Sequence, residues 1–191
     1  FVTDMYLPSL PAMADYFSAS LPMVQMGLTT SMIGLALGQI FFGPLSDKYG
    51  RRPLLLVSML LFIVSTLFCL FAPDIYSFVT LRLIQGIAGA GGIVISRSVA
   101  TDKFSGKELA KMLAVIGAIN GVAPVAAPVI GGLLTGSVGW QGIFMILLFI
   151  GILLGIGCIR FKESLPAEKR SKTGVWATFR SFGIIVHNRR Y

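Results

Sequence analysis

Residues 43–56 read GPLSDKYGRRPLLL, and the fold turns on this stretch. Lys48, Arg51, Arg52 and the carboxylate of Asp47 are crowded between two apolar runs. Upstream, residues 21–45 carry no charge, and downstream, residues 53–73 carry none. Each run meets the roughly 20 apolar residues needed to cross a hydrocarbon core. A short charged hinge therefore joins two membrane spans with hardly any linker. Gly43 and Gly50 flank it, and glycine there permits a tight turn and a close approach.

The same pattern continues outward. Residues 75–96 form a span with one charge, Arg82, and residues 112–159 have none but are too long for one crossing. The glycine-rich TGSVGWQG at 135–142 breaks that run into two spans, and Trp140 there suits an interfacial anchor. Residues 1–14 are apolar apart from Asp4 and read as the second half of a first span. The expectation is an all-α polytopic membrane bundle of six spans over 1–160, the first of them truncated. A basic loop follows over 161–191.

Composition agrees. Hydrophobic residues make up 55% of the chain and charged residues 13%, against about 25% charged in soluble domains. Mean hydropathy is +0.83. The net charge of +8 would suggest nucleic acid in a soluble protein. Here the basic residues fall in short blocks between apolar runs, so no nucleic-acid partner is expected. Fifteen of the 16 Lys and Arg residues lie in 46–52, 97–111 and 160–191, and the loops around Asp15, Asp74 and Gly136 have none. By the positive-inside rule the basic loops and the C-terminal tail are cytoplasmic. Cys69 and Cys158 lie in apolar segments and imply no disulfide. With a single histidine no zinc pattern can be written, so no metal is expected. An enzyme would need a nucleophile, a metal or an acid–base cluster near the surface. The sequence offers none.

In the tail, VWATFRSFGIIV at 175–186 spaces Trp176, Phe179 and Phe182 three residues apart. That fits either a helix lying on the membrane surface or the approach to a further span. Gly27, Gly34, Gly38 and Gly43 fall near one helical face, as do Gly117 and Gly121. Small residues let spans pack closely in lipid.

Two charges inside spans remain. Asp4 lies eleven residues before Asp15, about 16 Å deep, and Arg82 lies eight after Asp74, about 12 Å deep, at 1.5 Å per residue. An ionisable group inside a span is costly and marks an ion or substrate path by default. Arg82 favours a charged Asp4 while desolvation favours a neutral one, so the carboxyl could switch its proton. The alternative is an ion pair that only fixes packing. Tyr6 and Gln85 stand close by in sequence to share the polar site. Pro8 and Pro11 loosen the helix that carries Asp4.

GPLSDKYGRR resembles motif A of the major facilitator superfamily, with Gly43, Leu45, Asp47, Gly50, Arg51 and Arg52 at its fixed positions. FVTLRLIQGIAGAGG looks like motif B, with Arg82, Gln85 and Gly86 in place and Ala88 where a glycine is usual. AVIGAINGVAPVAAPVIGG is similar to motif C, the antiporter signature. There Pro128, Gly131 and Gly132 match, while Ala114, Ala123 and Ala127 replace glycines. DMYLPSLP and ESLP look like the bicyclomycin-resistance (Bcr/CflA) group of drug exporters.

The resemblance implies the N-terminal half of a twelve-span transporter of the bacterial inner membrane. Its partners would be protons, a small lipophilic drug, membrane lipid and a C-terminal six-span half. It implies no cofactor, since the proton gradient drives transport. Asp4 would take a proton or a cationic drug, Arg82 would serve proton coupling, and motif A would latch the cytoplasmic gate through Arg51 and Asp102. The alanines in motif C keep a second expectation open, a facilitator or importer of a small metabolite.

Overall fold

The computed structural model describes residues 4–171. Five α-helices follow in order: α1 Leu10–Tyr16, α2 Leu21–Tyr49, α3 Arg51–Leu70, α4 Ile75–Lys103 and α5 Gly106–Ile159. A 3-10 turn at Leu7–Ser9 precedes them and another at Ala167–Lys169 follows. The last four α-helices are long and apolar enough to cross a membrane. Their outward faces suit lipid: Leu60, Phe68, Val122 and Leu133 are between 55% and 78% exposed. The expected surface helix over 175–186 lies outside the described residues.

α5 has 54 residues, about 81 Å at 1.5 Å per residue and too long for one crossing. It divides at Gly139, where φ is 66° and ψ is −175°, a conformation open to glycine. The chain doubles back there. Before the break, Gly131 sits on the Met5 carbonyl. After it, the Phe144 ring lies 5.7 Å from that of Tyr6. Positions on both sides of Gly139 thus reach adjacent residues, as the glycine-rich break predicts.

Trp140 differs from expectation. It is 3% exposed, not an interfacial anchor, and its ring packs edge-on to Tyr16, Phe78 and Phe144. The reversal at Gly139 turns the indole inward, and aromatic neighbours cover it.

The segment carrying Asp4 starts as a turn, tightens to 3-10 and becomes α-helical at Leu10. The prolines explain this. Pro8 and Pro11 have no N–H to donate four residues back. Leu7 and Ser9 instead donate three residues back, to Asp4 and Tyr6, at 3.2 and 2.8 Å. Asp74 caps α4 by accepting from the Ser77 amide at 2.8 Å. That bond and the Ser77 hydroxyl hold its carboxyl below the usual range.

α2 and α4 cross at backbone contact. A β-carbon on Gly34 would lie 2.2 Å from the Leu83 carbonyl oxygen, and one on Gly86 would lie 2.1 Å from that of Ser31. Gly38 meets Ala90 and Ile87 in the same way. The Thr30 hydroxyl bonds the Val79 carbonyl across the crossing at 3.0 Å. The small-residue face is therefore Gly27, Gly34 and Gly38. Gly43 is not part of it: a β-carbon there would meet nothing nearer than Val94 at 3.9 Å. Gly117 and Gly121 also depart from expectation, for a β-carbon on either would meet nothing within 4 Å among the described residues. The first arm of α5 touches the bundle lower down, at Ala127 and Gly131, and leaves those two glycines outside. Arg97, grouped with the loop at 97–111 by charge, belongs to α4 and is exposed.

Candidate functional site

Polar residues gather at two levels of the bundle. The inner group centres on Arg82, which has no exposed surface. A buried guanidinium stays charged and must find partners. Nη1 donates to the Gln85 side-chain oxygen. Gln85 Nε2 donates to Thr66 Oγ1 at 2.6 Å, and Thr66 donates to the Phe62 carbonyl at 2.6 Å. The guanidinium carbon lies 4.6 Å from the Tyr6 ring centroid and 5.9 Å from that of Phe144, within cation–π range. Arg82 Nε, Arg82 Nη2 and the Tyr6 hydroxyl have no hydrogen-bond partner among the described residues.

Asp4 is half-buried at the start of the same segment as Tyr6. Tyr6 itself is fully buried between Arg82, Phe78 and Phe144. A molecule outside the bundle therefore cannot touch Arg82 in this conformation. Thr66 was not singled out from the sequence. The available signal was a hydroxyl in an apolar span, but hydroxyls also bond their own helix, as Ser58 and Ser65 do here.

The second group lies at the basic end, on the α2–α3 hinge. Gly50 has φ 101°, which favours glycine. Arg51 is 6% exposed. Its Nε donates to Asp102 Oδ2 at 3.0 Å, and its Nη1 donates to Asp47 at 2.5 Å and to Ser46 Oγ at 2.7 Å. Ser46 in turn donates to the Gly43 carbonyl at 2.9 Å. Asp102 stands at the end of α4, so a single guanidinium joins α2, α3 and α4. Such forked, charge-assisted contacts fix geometry as well as adding energy. Arg52 is exposed, and its Nη2 donates to the Ile159 carbonyl at 2.9 Å, the last residue of α5.

Glu163 and Ser164 join this group without having been picked out individually. Glu163 accepts from the Arg51 and Arg52 amides at 2.9 and 3.2 Å, and Ser164 Oγ donates to Asp102 at 3.1 Å. Burial pushes the Glu163 carboxyl up. The amides of Leu165, Arg51 and Arg52 and the charge of Arg170 outweigh that and hold it below the usual range.

The motif C residues line the first arm of α5. Ala127 and Gly131 are buried against the bundle, Ala123 and Pro128 are half-buried, and Gly132 is exposed. A β-carbon on Gly131 would fall 1.8 Å from the Met5 carbonyl oxygen. This arm therefore rests on the backbone beside Asp4 and Tyr6. The Ser9 and Thr135 hydroxyls bond at 2.9 Å near the same contact.

Comparison with known proteins fits this architecture. The chain is 41% identical over 191 residues to the MFS-type transporter YdgK of Bacillus subtilis (strain 168), covering 98% of this chain and 48% of that protein. It is 35% identical over 153 residues to a bicyclomycin resistance protein homolog of Haemophilus influenzae, covering 80% of this chain and 38% of that one. It is 30% identical over 167 residues to the multidrug resistance protein MdtL of Salmonella heidelberg, covering 87% and 42%. The chain thus spans half or less of the length of these relatives. The fold matches that of the human organic anion transporter MFSD10, with a TM-score of 0.65 and 24% identity over 86% of this chain and 39% of that one. The family profile described as Major Facilitator Superfamily matches residues 1–191, and the chain belongs to that superfamily.

Proposed function

We propose that the full-length protein is a proton-coupled exporter of small lipophilic drugs, working by alternating access in the bacterial inner membrane. The observation that carries this reading is the enclosed Arg82. It is a permanent cation with no exposed surface, and the ring of Tyr6, two residues after Asp4 in the same segment, lies against it. A proton arriving at the Asp4 carboxylate removes its negative charge. The attraction between that segment and Arg82 then weakens, and Tyr6 is freed to shift. Loss of the proton restores the attraction. Each protonation state thus favours a different placement of the segment, and a proton gradient can bias the two.

The names of the Haemophilus and Salmonella relatives support a drug as cargo. In this reading the basic end faces the cytoplasm, and the Arg51, Asp47 and Asp102 group is the gate latch there. No cofactor takes part, since the proton gradient supplies the energy. The working unit includes the remaining length of the protein, with lipid around it.

The test uses the full-length protein in proteoliposomes with an imposed pH gradient and a panel of lipophilic cations and neutral antibiotics. Gradient-dependent export that Asp4→Asn abolishes is the expected result. Export against a gradient by Asp4→Asn would remove Asp4 from the mechanism. Uptake of a labelled metabolite without drug export would favour the facilitator reading, which the alanines at 114, 123 and 127 support.

A further inference from the structure

A helix that starts after glycine has no side chain to cap its first amides. α3 starts this way: Gly50 is its N-cap residue and makes no side-chain cap bond. The first amides of a helix are orphan donors at the positive end of its dipole. For α3 the first two amides are satisfied from 112 and 111 residues away. Glu163 Oε1 accepts from the Arg51 amide at 2.9 Å, and Oε2 accepts from the Arg52 amide at 3.2 Å.

The carboxylate is itself held in place. The chain wraps around it so that the Leu165 amide donates to Oε1 at 3.1 Å. Arg170 Nη2 lies 3.6 Å from Oε2. Ser171 donates its amide to the Asp47 carbonyl at 2.9 Å, and Leu165 is 7% exposed. Gly50 leaves the space that this arrangement needs: a β-carbon there would lie 2.5 Å from Glu163 Oε2.

We propose that Glu163 is a positioning residue of the hinge, capping α3 from the segment that follows the last span and thereby aiming the Arg51 guanidinium at Asp102. The amide it caps and the guanidinium it aims belong to the same residue. When the cap releases, the first turn of α3 loses its anchor and the guanidinium loses its fixed direction. Residues 161–171 then act as a strap that couples movement of the hinge to the chain leading away from α5. The effect on transport rests on the exporter reading; docking of the strap does not.

Two measurements on the full-length protein test this separately. The first places a single cysteine at Leu165 in a background otherwise free of cysteine and follows maleimide labelling. Slow labelling with Glu163 and labelling at least about fivefold faster with the isosteric Glu163→Gln is expected. Equal labelling overturns the proposal, whatever the protein carries.

The second is export kinetics. Glu163→Gln should lower kcat about tenfold with KM unchanged. Glu163→Gln combined with Asp102→Asn should be no worse than the more severe single change, because both act through Arg51. Multiplicative losses, or a raised KM with kcat intact, overturn the positioning role. Absence of export by the unaltered protein would overturn the exporter reading alone, since the labelling result stands without it.

Discussion

Arg51 Nε donates to Asp102 Oδ2 at 3.0 Å, joining the first residue of α3 to the end of α4. The two side chains are 7% and 15% exposed, so the pair is only weakly screened by solvent. Asp102→Asn keeps the shape and removes the charge. If this pair belongs to the gate, that change should slow export by about tenfold, within the usual range for coupled sites. Arg51→Lys should slow export as well, because an ammonium cannot reach Asp47, Ser46 and Asp102 together as the planar fork does. Export rates in everted membrane vesicles check both. Full activity in Asp102→Asn would remove the contact from the gate.

The α2–α4 crossing makes a packing prediction independent of transport. Gly86→Ala and Gly34→Ala each drive a methyl group onto a carbonyl of the facing helix. Overpacking of this kind costs roughly 1–3 kcal/mol. Gly89→Ala on the same α4 meets nothing within 4 Å. Thermal unfolding of the purified protein in detergent should therefore show lower Tm for the first two and an unchanged or slightly higher Tm for Gly89→Ala. Equal Tm values for all three would contradict the close crossing.

Gln85 accepts a hydrogen bond from Arg82 Nη1. Gln85→Leu fills similar volume but leaves Nη1 buried without that acceptor, and Thr66 without its donor. An unsatisfied buried group costs about 1–3 kcal/mol, more when charged. The variant should be less stable than wild type, whereas Thr66→Val, which removes a neutral partner, should cost less. Gln85→Glu supplies a carboxylate to the same Nη1 and should retain stability at neutral pH. Denaturation midpoints of the three variants check the ranking.

The spans were legible because an uncharged run of about 20 residues has few other readings. The break in α5 was legible because TGSVGWQG interrupts such a run with glycine at the turning point, Gly139. Which residues face inward was far less legible. In water an apolar stripe marks the core, but in lipid both faces of a span are apolar. Trp140 therefore reads as interfacial although it is buried, and Gly117 and Gly121 read as packing residues although a β-carbon on either would meet nothing within 4 Å among the described residues. Asp47, Arg51, Arg52 and Asp102 were legible from motif spacing and charge. Glu163 was not, because its partners lie 111 and 112 residues away and no local pattern marks such a contact.

The strap gives a pH prediction whose sign follows from Glu163. Its carboxyl is held below the usual range: burial works against this, and the amides of Leu165, Arg51 and Arg52 with the Arg170 charge prevail. A group with a lowered folded pKa contributes in full above its free value, near 4.3 for glutamate, and its contribution is lost as pH falls through the folded value. The strap should therefore stay docked through neutral and mildly acidic pH and release only below the ordinary glutamate range. A bimane fluorophore on Ser171→Cys, next to the Asp47 carbonyl, reports docking through its emission wavelength. The unaltered hinge should give a constant signal from neutral pH down to the glutamate range and then a shift. Glu163→Gln carries no titrating carboxyl at this position and should give the released signal at every pH. A shift centred above the ordinary glutamate value would mean that burial, not the amides and Arg170, sets the charge of Glu163.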